Sequence, residues 1–292
     1  MKIKGNIRPI ALALALGAIL AGCKATPDVI EPVPFSNQNS AALNIANQTA
    51  LTKDQSPLRD FTVQEVQNAE VSLEQHYGGN TPIILGALKL ATLDLTGVID
   101  VAGGSMANLA QSNHIASKPR WFVALPKVQF QSKNEAIDFA RHSIREAQIK
   151  AYSTYGNVKV ETNPKNSATY LTLEINGKVT PIGGVYNEQL QPTVIESKFS
   201  GVDSYLMGFD GNMYTGLISV TGALIAELEN DSVEISPTVV YQSITNELPE
   251  NFFIYMPSFG QFHGQGKVYT DYSHVVPSIY TQGKKLQFIK PE

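Results

Sequence analysis

Residues 121–156 read WFVALPKVQFQSKNEAIDFARHSIREAQIKAYSTYG, and the order of patterns inside them sets the fold class. Trp121 to Phe130 is dense in aromatic and branched apolar residues and reads as a strand. Pro126 lies within it and has no amide to give a ladder, which predicts an edge strand or a bulge. Ser132-Lys133-Asn134-Glu135 is a capping box, in which the serine and the glutamate satisfy each other's orphan amides. Behind it Ala136, Ile137, Ala140, Ile144, Ala147 and Ala151 recur at threes and fours, the spacing of one buried helical stripe. Glu146 and Lys150 are spaced for an i,i+4 pair on the wet side. Gly156 ends the helix. A strand follows, so the stretch predicts a β-α-β piece.

Downstream the patterns are those of strands. In Ala168–Ile175, Tyr170, Thr172 and Glu174 alternate with Leu171, Leu173 and Ile175. Asn176-Gly177 suits a type I′ hairpin, whose two central residues both need positive φ. Asp210-Gly211 is a second such signal, and Gln282-Gly283, between Ser278–Tyr280 and Leu286–Ile289, predicts a third hairpin. Thr193–Phe199, Val233–Tyr241 and Phe252–Met256 are further strand candidates. Leu217 to Leu228 carries both signals: β-branched residues favour a strand, and Ala223 to Leu228 favours a helix. Trp121–Pro126 and Phe252–Pro257 share an order of two aromatics, two more residues, an apolar residue and Pro, 131 positions apart. Either a duplicated α/β unit or chance between two apolar strands would produce that.

Upstream, Thr62-Val63-Gln64-Glu65 is another capping box and predicts a helix through Tyr77, ended by Gly78-Gly79. Pro82 to about Ala110 is apolar, but Lys89, Asp94 and Asp100 interrupt it. Each would cost about 2.5–3.5 kcal/mol at mid-bilayer. A buried helix, or two broken at Gly103-Gly104, is therefore expected rather than a membrane span. Pro27, Pro32, Pro34 and Pro57 punctuate residues 24–59, which are rich in Asn, Gln, Ser and Ala. This predicts a flexible tether with a reach of roughly 30–36 Å, with room for a short helix in Ser40 to Leu51.

The first residues have the parts of a secretory signal. Lys2, Lys4 and Arg8 precede an apolar run, Ile10 to Ala21, broken only by Gly17. As a helix that run spans roughly 18 Å, short of the ~30 Å hydrocarbon core. It ends in Leu20-Ala21-Gly22-Cys23, and Cys23 is the only cysteine in 292 residues. The tetrapeptide resembles the lipobox of bacterial lipoproteins. An ordinary cleaved signal with an incidental cysteine is the plainer alternative. The resemblance implies removal of residues 1–22, lipidation of Cys23 (palmitate among its acyl chains) and a firm membrane anchor in the cell envelope. Lys24 rather than Asp follows the cysteine. In a Gram-negative source this resembles an outer-membrane destination.

The leader carries three of the 22 Lys and Arg and none of the 26 Asp and Glu. The mature chain is therefore acidic, about −7, which argues against nucleic acid as a partner. The apolar fraction of 43% is ordinary for a globular body, while only 16% of residues are charged. With Cys23 acylated no thiol remains, so disulfides and thiol catalysis are excluded.

Motifs for chemistry are weak. Gly103-Gly104-Ser105-Met106-Ala107 fits a relaxed nucleophile elbow and makes Ser105 the one catalytic candidate. That elbow needs a strand before the serine, and the run before Ser105 is helix-like. His263-Gly264-Gln265-Gly266 is similar to an oxyanion loop, but it follows the serine where such a loop precedes it. The five histidines have no metal-ligand spacing, although His263 and His274 could converge with Asp271. No metal and no cofactor is expected. Phe252, Phe253, Tyr255, Phe259 and Phe262 form an aromatic cluster that reads either as a partner surface or as core.

The expected fold class is α+β: N-terminal helices and one β-α-β piece, followed by a mainly antiparallel sheet. Residues 1–22 are the signal, 23–59 the lipidated cysteine and tether, and 60–292 the body, with two α/β halves, about 60–200 and 201–292, as a variant. The expected role is binding or scaffolding from a lipid anchor. The alternatives are a tethered hydrolase using Ser105 and an accessory subunit of an envelope transport or secretion complex.

Overall fold

The computed structural model describes residues 35–49, 58–77, 119–162, 169–195, 211–221, 237–258, 261–264, 267–270 and 274–292. Four helices lie among them: α1 (Ala41–Asn47), α2 (Val63–Tyr77), α3 (Lys133–Ser153) and α4 (Pro237–Glu247). The strands are β1 (Arg120–Pro126), β2 (Asn157–Thr162), β3 (Thr169–Ile175), β4 (Lys178–Ile195), β5 (Gly211–Thr221), β6 (Phe252–Met256), β7 (Gln261–Gly264), β8 (Lys267–Thr270), β9 (Ser278–Thr281) and β10 (Lys284–Gln287). Eight strands form one sheet in the order β10-β9-β6-β1-β5-β4-β3-β2, and β7 and β8 form a separate hairpin. All pairings within strands are antiparallel. The fold is mixed α+β, as the patterns predict.

The β-α-β piece exists in an extended form. Following the antiparallel ladders from β1 through β5, β4 and β3 makes β1 and β2 parallel, with three strands between them. Helix α3 spans that gap, packing on β4, β3 and β2. The serine half of its capping box is in place, with the Glu135 amide donating to Ser132 Oγ at 3.2 Å, while the Glu135 carboxylate accepts from the Gln131 amide at 2.6 Å. The Thr62 box at the start of α2 is closed both ways: the Thr62 amide donates to Glu65 Oε2 at 2.7 Å, and the Glu65 amide to Thr62 Oγ1 at 3.2 Å. Two predicted hairpins form with both turn residues at positive φ: Asn176 and Gly177 at 50° and 79°, Gln282 and Gly283 at 48° and 70°. Asp210 lies outside the described residues.

Several expectations are corrected. The strand at Trp121 is central, between β5 and β6, and not an edge. Pro126 is tolerated because it is the last strand residue, where the chain turns into a 3-10 segment, Lys127–Gln129. Pro237–Tyr241 is helical rather than extended: Pro237 opens α4 with its φ already set, and Val240, Ile244 and Leu248 stack at fours into the core. Three of the four described helices still precede residue 154, as the expected concentration of helices toward the N-terminus has it. Thr193–Ile195 ends the 18-residue β4, and Leu217–Thr221 is strand. Residues 196–199 and 222–228 lie outside the described residues. Lys150 reaches Glu247 on α4, 3.2 Å away, rather than Glu146, because the two helices pack together. Glu146 instead lies 3.5 Å from Arg145.

The core lies on both faces of the sheet. Trp121, Val123 and Leu125 of β1 and Phe252, Ile254 and Met256 of β6 point toward α3 and α4, joining Ala140, Ile144, Val240 and Ile244. Phe122, Ala124, Phe253 and Tyr255 point the other way. There the covering layer is the N-terminal segment: Ala42, Ile45 and Ala46 of α1, Phe61, and Val66 and Ala69 of α2. The tether expectation for 24–59 is therefore corrected for residues 35–49 and Leu58, which belong to the body. The short helix allowed for in Ser40–Leu51 forms as α1; what polar composition hid is its burial, with Ala42, Ile45 and Ala46 fully buried. The two-halves variant is corrected too, since one sheet runs through strands from both sides of residue 200.

Candidate functional site

The sequence-based candidates do not converge on one site. Cys23, Ser105 and Phe259 lie outside the described residues. Phe262 is described only as a backbone position of β7, opposite Tyr269. Phe252, Phe253 and Tyr255 are core residues, 1%, 1% and 0% exposed, so as a partner surface they are corrected. The reason is topological: β6 sits inside the sheet with a helical layer on each face, so both of its side-chain rows are buried. Burial pushes the Tyr255 phenol well above its ordinary range.

His274 is a polar group set deep in the molecule, only 1% exposed. Its Nε2 lies 2.6 Å from the Tyr280 hydroxyl, which lies 3.2 Å from Thr238 Oγ1 on α4. A tyrosine hydroxyl has one proton to give and lone pairs to receive, so it serves both neighbours at once. Tyr280 also meets Tyr241 at 5.5 Å between ring centroids. The row His274–Tyr280–Thr238 therefore joins the segment before β9, β9 itself and α4. Its hydrogen bonds tie these three segments together. His263 and Asp271, its imagined metal partners, have no described side chains. Among the described residues no three His, Cys, Asp or Glu side chains group closely enough to hold a metal ion.

A second polar cluster ties the N-terminal layer down. The Ser40 amide and hydroxyl donate to the two oxygens of Asp60 at 2.6 and 2.5 Å, while Ser40 Oγ caps α1 by accepting from the Leu43 amide. Arg59 donates to both oxygens of Glu65, at 2.8 and 3.2 Å, and lies 4.1 Å over the Phe61 ring. The Arg59 hydrogen bonds, with the Thr62 amide, hold the Glu65 carboxyl down at about 2. Phe61 in turn donates its amide to Phe288 O at 2.8 Å and accepts from the Lys290 amide at 2.9 Å. The two ends of the body are thereby stitched together.

Sequence reasoning missed the exposed edge at β2, although Asn157-Val158-Lys159-Val160-Glu161-Thr162 has a strand's alternation. Lys159 there meets Glu174 of β3 at 2.7 Å and holds its carboxyl below the ordinary range.

No protein-family model, curated protein or solved structure matches the chain. No helix among the described residues is long and apolar enough to cross a membrane.

Proposed function

We propose that this chain is a lipid-anchored bacterial envelope protein that acts by binding or scaffolding. The address rests on Leu20-Ala21-Gly22-Cys23. The role rests on one structural observation: the chain enters the core soon after the anchor. Only eleven residues, 24–34, separate Cys23 from Phe35, which packs against the core cluster. Eleven residues span at most roughly 40 Å even when fully extended. Ser40 is then clamped by Asp60, and Phe61 is stitched to the C-terminal tail. Force on the anchor would pass directly into the sheet, which suits a body that holds a partner at a membrane. The outer membrane is the destination this reading gives in a Gram-negative cell.

The test is metabolic labelling with an alkyne palmitate, fractionation, and affinity purification of the full chain from solubilised envelopes. Label on Cys23 with a stoichiometric companion supports the reading, and the companion would identify any transport or secretion complex. A Cys23→Ser chain that stays processed and membrane-bound sinks the anchor. Labelling by a serine-reactive phosphonate that disappears in Ser105→Ala replaces scaffolding by a tethered hydrolase.

A further inference from the structure

The sheet has two edges, and they are finished differently. At β10 the edge is four residues long and carries Lys284 and Lys285. The chain just beyond it is bridged by Phe61 through Ile289. At β2 the edge is six residues long, pairs only with β3 among the described residues, and is exposed from Lys159 to Thr162. Val160 is 44% exposed. Unpaired strand edges invite pairing with another chain, and proteins that avoid this place like charges where a second copy would meet them.

The charges on β2 do the opposite. Val158 packs on the cluster under α3, so Val158, Val160 and Thr162 face the helices while Lys159 and Glu161 face away. Directly opposite residues in an antiparallel pair share a face. A two-fold axis between two β2 strands must therefore fall on a residue, not between residues. Centred on Lys159 it would set lysine on lysine, and centred on Glu161 glutamate on glutamate. Centred on Val160 it sets Lys159 opposite the partner's Glu161 and Glu161 opposite the partner's Lys159, with valine on valine between them.

We propose that this chain pairs with a second copy of itself, edge to edge and antiparallel along β2, on a two-fold axis at Val160. The partner is chosen by charge complementarity, and Lys159 then sits between its own Glu174 and the partner's Glu161. Five residues of each strand, 158–162, pair across that axis and bury less than the ~1,200 Å² of standard stable interfaces, so the association is weak and concentration-dependent. The proposal stands whether or not Cys23 carries lipid.

Capture by a short bis-maleimide tests it on the full chain in detergent, with mass spectrometry assigning the linked peptides. Val160→Cys gives a 160–160 link, formed faster than the self-link of Val128→Cys, whose side chain is 92% exposed in a turn far along the chain. Adding Glu161→Lys places two like-charged pairs across the axis and raises the dissociation constant about tenfold, read by sedimentation equilibrium. Mixing Glu161→Lys with Lys159→Glu chains restores association, because each then supplies the other's opposite charges. The proposal is overturned if Val160→Cys links no faster than Val128→Cys. It is also overturned if Glu161→Lys leaves association unchanged, or if the mixture associates no better than either variant alone.

Discussion

Phe122 and Phe253 face each other across β1 and β6 with ring centroids 4.9 Å apart and planes 18° from parallel. They are also the second residues of the two similar segments, Trp121–Pro126 and Phe252–Pro257. The similarity therefore coincides with a local two-fold relation at this pair. It does not extend outward: α3 follows β1, whereas α4 precedes β6. What the two strands share is a place at the sheet's centre, buried on both faces. Phe253→Ala should cost about 3–5 kcal/mol in a denaturant titration. Val128→Ala, at an exposed turn, should stay within about 0.5 kcal/mol. Equal small losses at both sites would mean that the pair is not a core contact.

Much of this was legible where local chemistry decides structure. Both capping boxes, the stripe of α3 and two hairpins follow from residues within a turn or two of each other. What composition misjudged was burial. Ala42, Ile45 and Ala46 form too short an apolar pattern to stand out from their Asn, Gln and Ser neighbours, yet they close one face of the sheet. The aromatic run at Phe252 is ambiguous for a related reason: Phe252, Phe253 and Tyr255 suit a surface or a core equally, and only the strand order puts them inside. The bond between His274 and Tyr280 follows no local sequence pattern, since it joins β9 to the irregular segment before it, and its continuation to Thr238 depends on how β9 lies under α4.

Glu65 gives the N-terminal layer an acid sensitivity. Its carboxyl titrates near 4.5 in an ordinary setting and is held to about 2 in the fold, first by Arg59 and then by the Thr62 amide. A depressed folded value means that the contribution is fully present above about 4.5 and is lost as pH falls through about 2. The side chains of Arg59 and Glu65 are 40% and 37% exposed, so solvent screening limits the ion pair to about 1 kcal/mol or less. Glu65→Gln should lower stability by that amount at pH 7. Melts repeated down the pH scale should show the two chains converging below about 4.5 and coinciding near 2. A gap constant with pH would assign the loss to the cap alone.

Gly156 and Gly177 are required for different reasons, and substitutions separate them. A Cβ on Gly156 would lie 2.4 Å from the Glu174 carbonyl oxygen and 2.9 Å from the Ile175 side chain, so the turn out of α3 could not keep its approach to β3. Gly156→Ala should cost about 1–3 kcal/mol, and Gly156→Asn no less. Gly177 has open space around it but a φ of +79°. There Ala should cost about 1–2 kcal/mol through backbone strain, while Asn, which tolerates that region, should recover most of it. Thermal melts of the four variants decide the matter; an Asn at 156 as well tolerated as at 177 would contradict the steric account.

The bond between His274 and Tyr280 makes the strongest claim on the core. Removing the hydroxyl in Tyr280→Phe keeps the ring against Tyr241 and His274 but takes away a 2.6 Å partner of a buried imidazole. A buried polar atom deprived of a partner costs about 1–3 kcal/mol. His274→Leu should be similarly costly, since it deprives the tyrosine of the same bond. The double variant should lose less than the two single losses added together, because a bond removed from both ends leaves less unsatisfied. The coupling read from that cycle should be about 0.5–3 kcal/mol. Thr238→Val, which cuts the longer 3.2 Å link to α4, should cost less than Tyr280→Phe. Losses that add without coupling would show that His274 and Tyr280 stabilise the sheet by packing alone, and that α4 is held by Val240 and Ile244 rather than through the tyrosine.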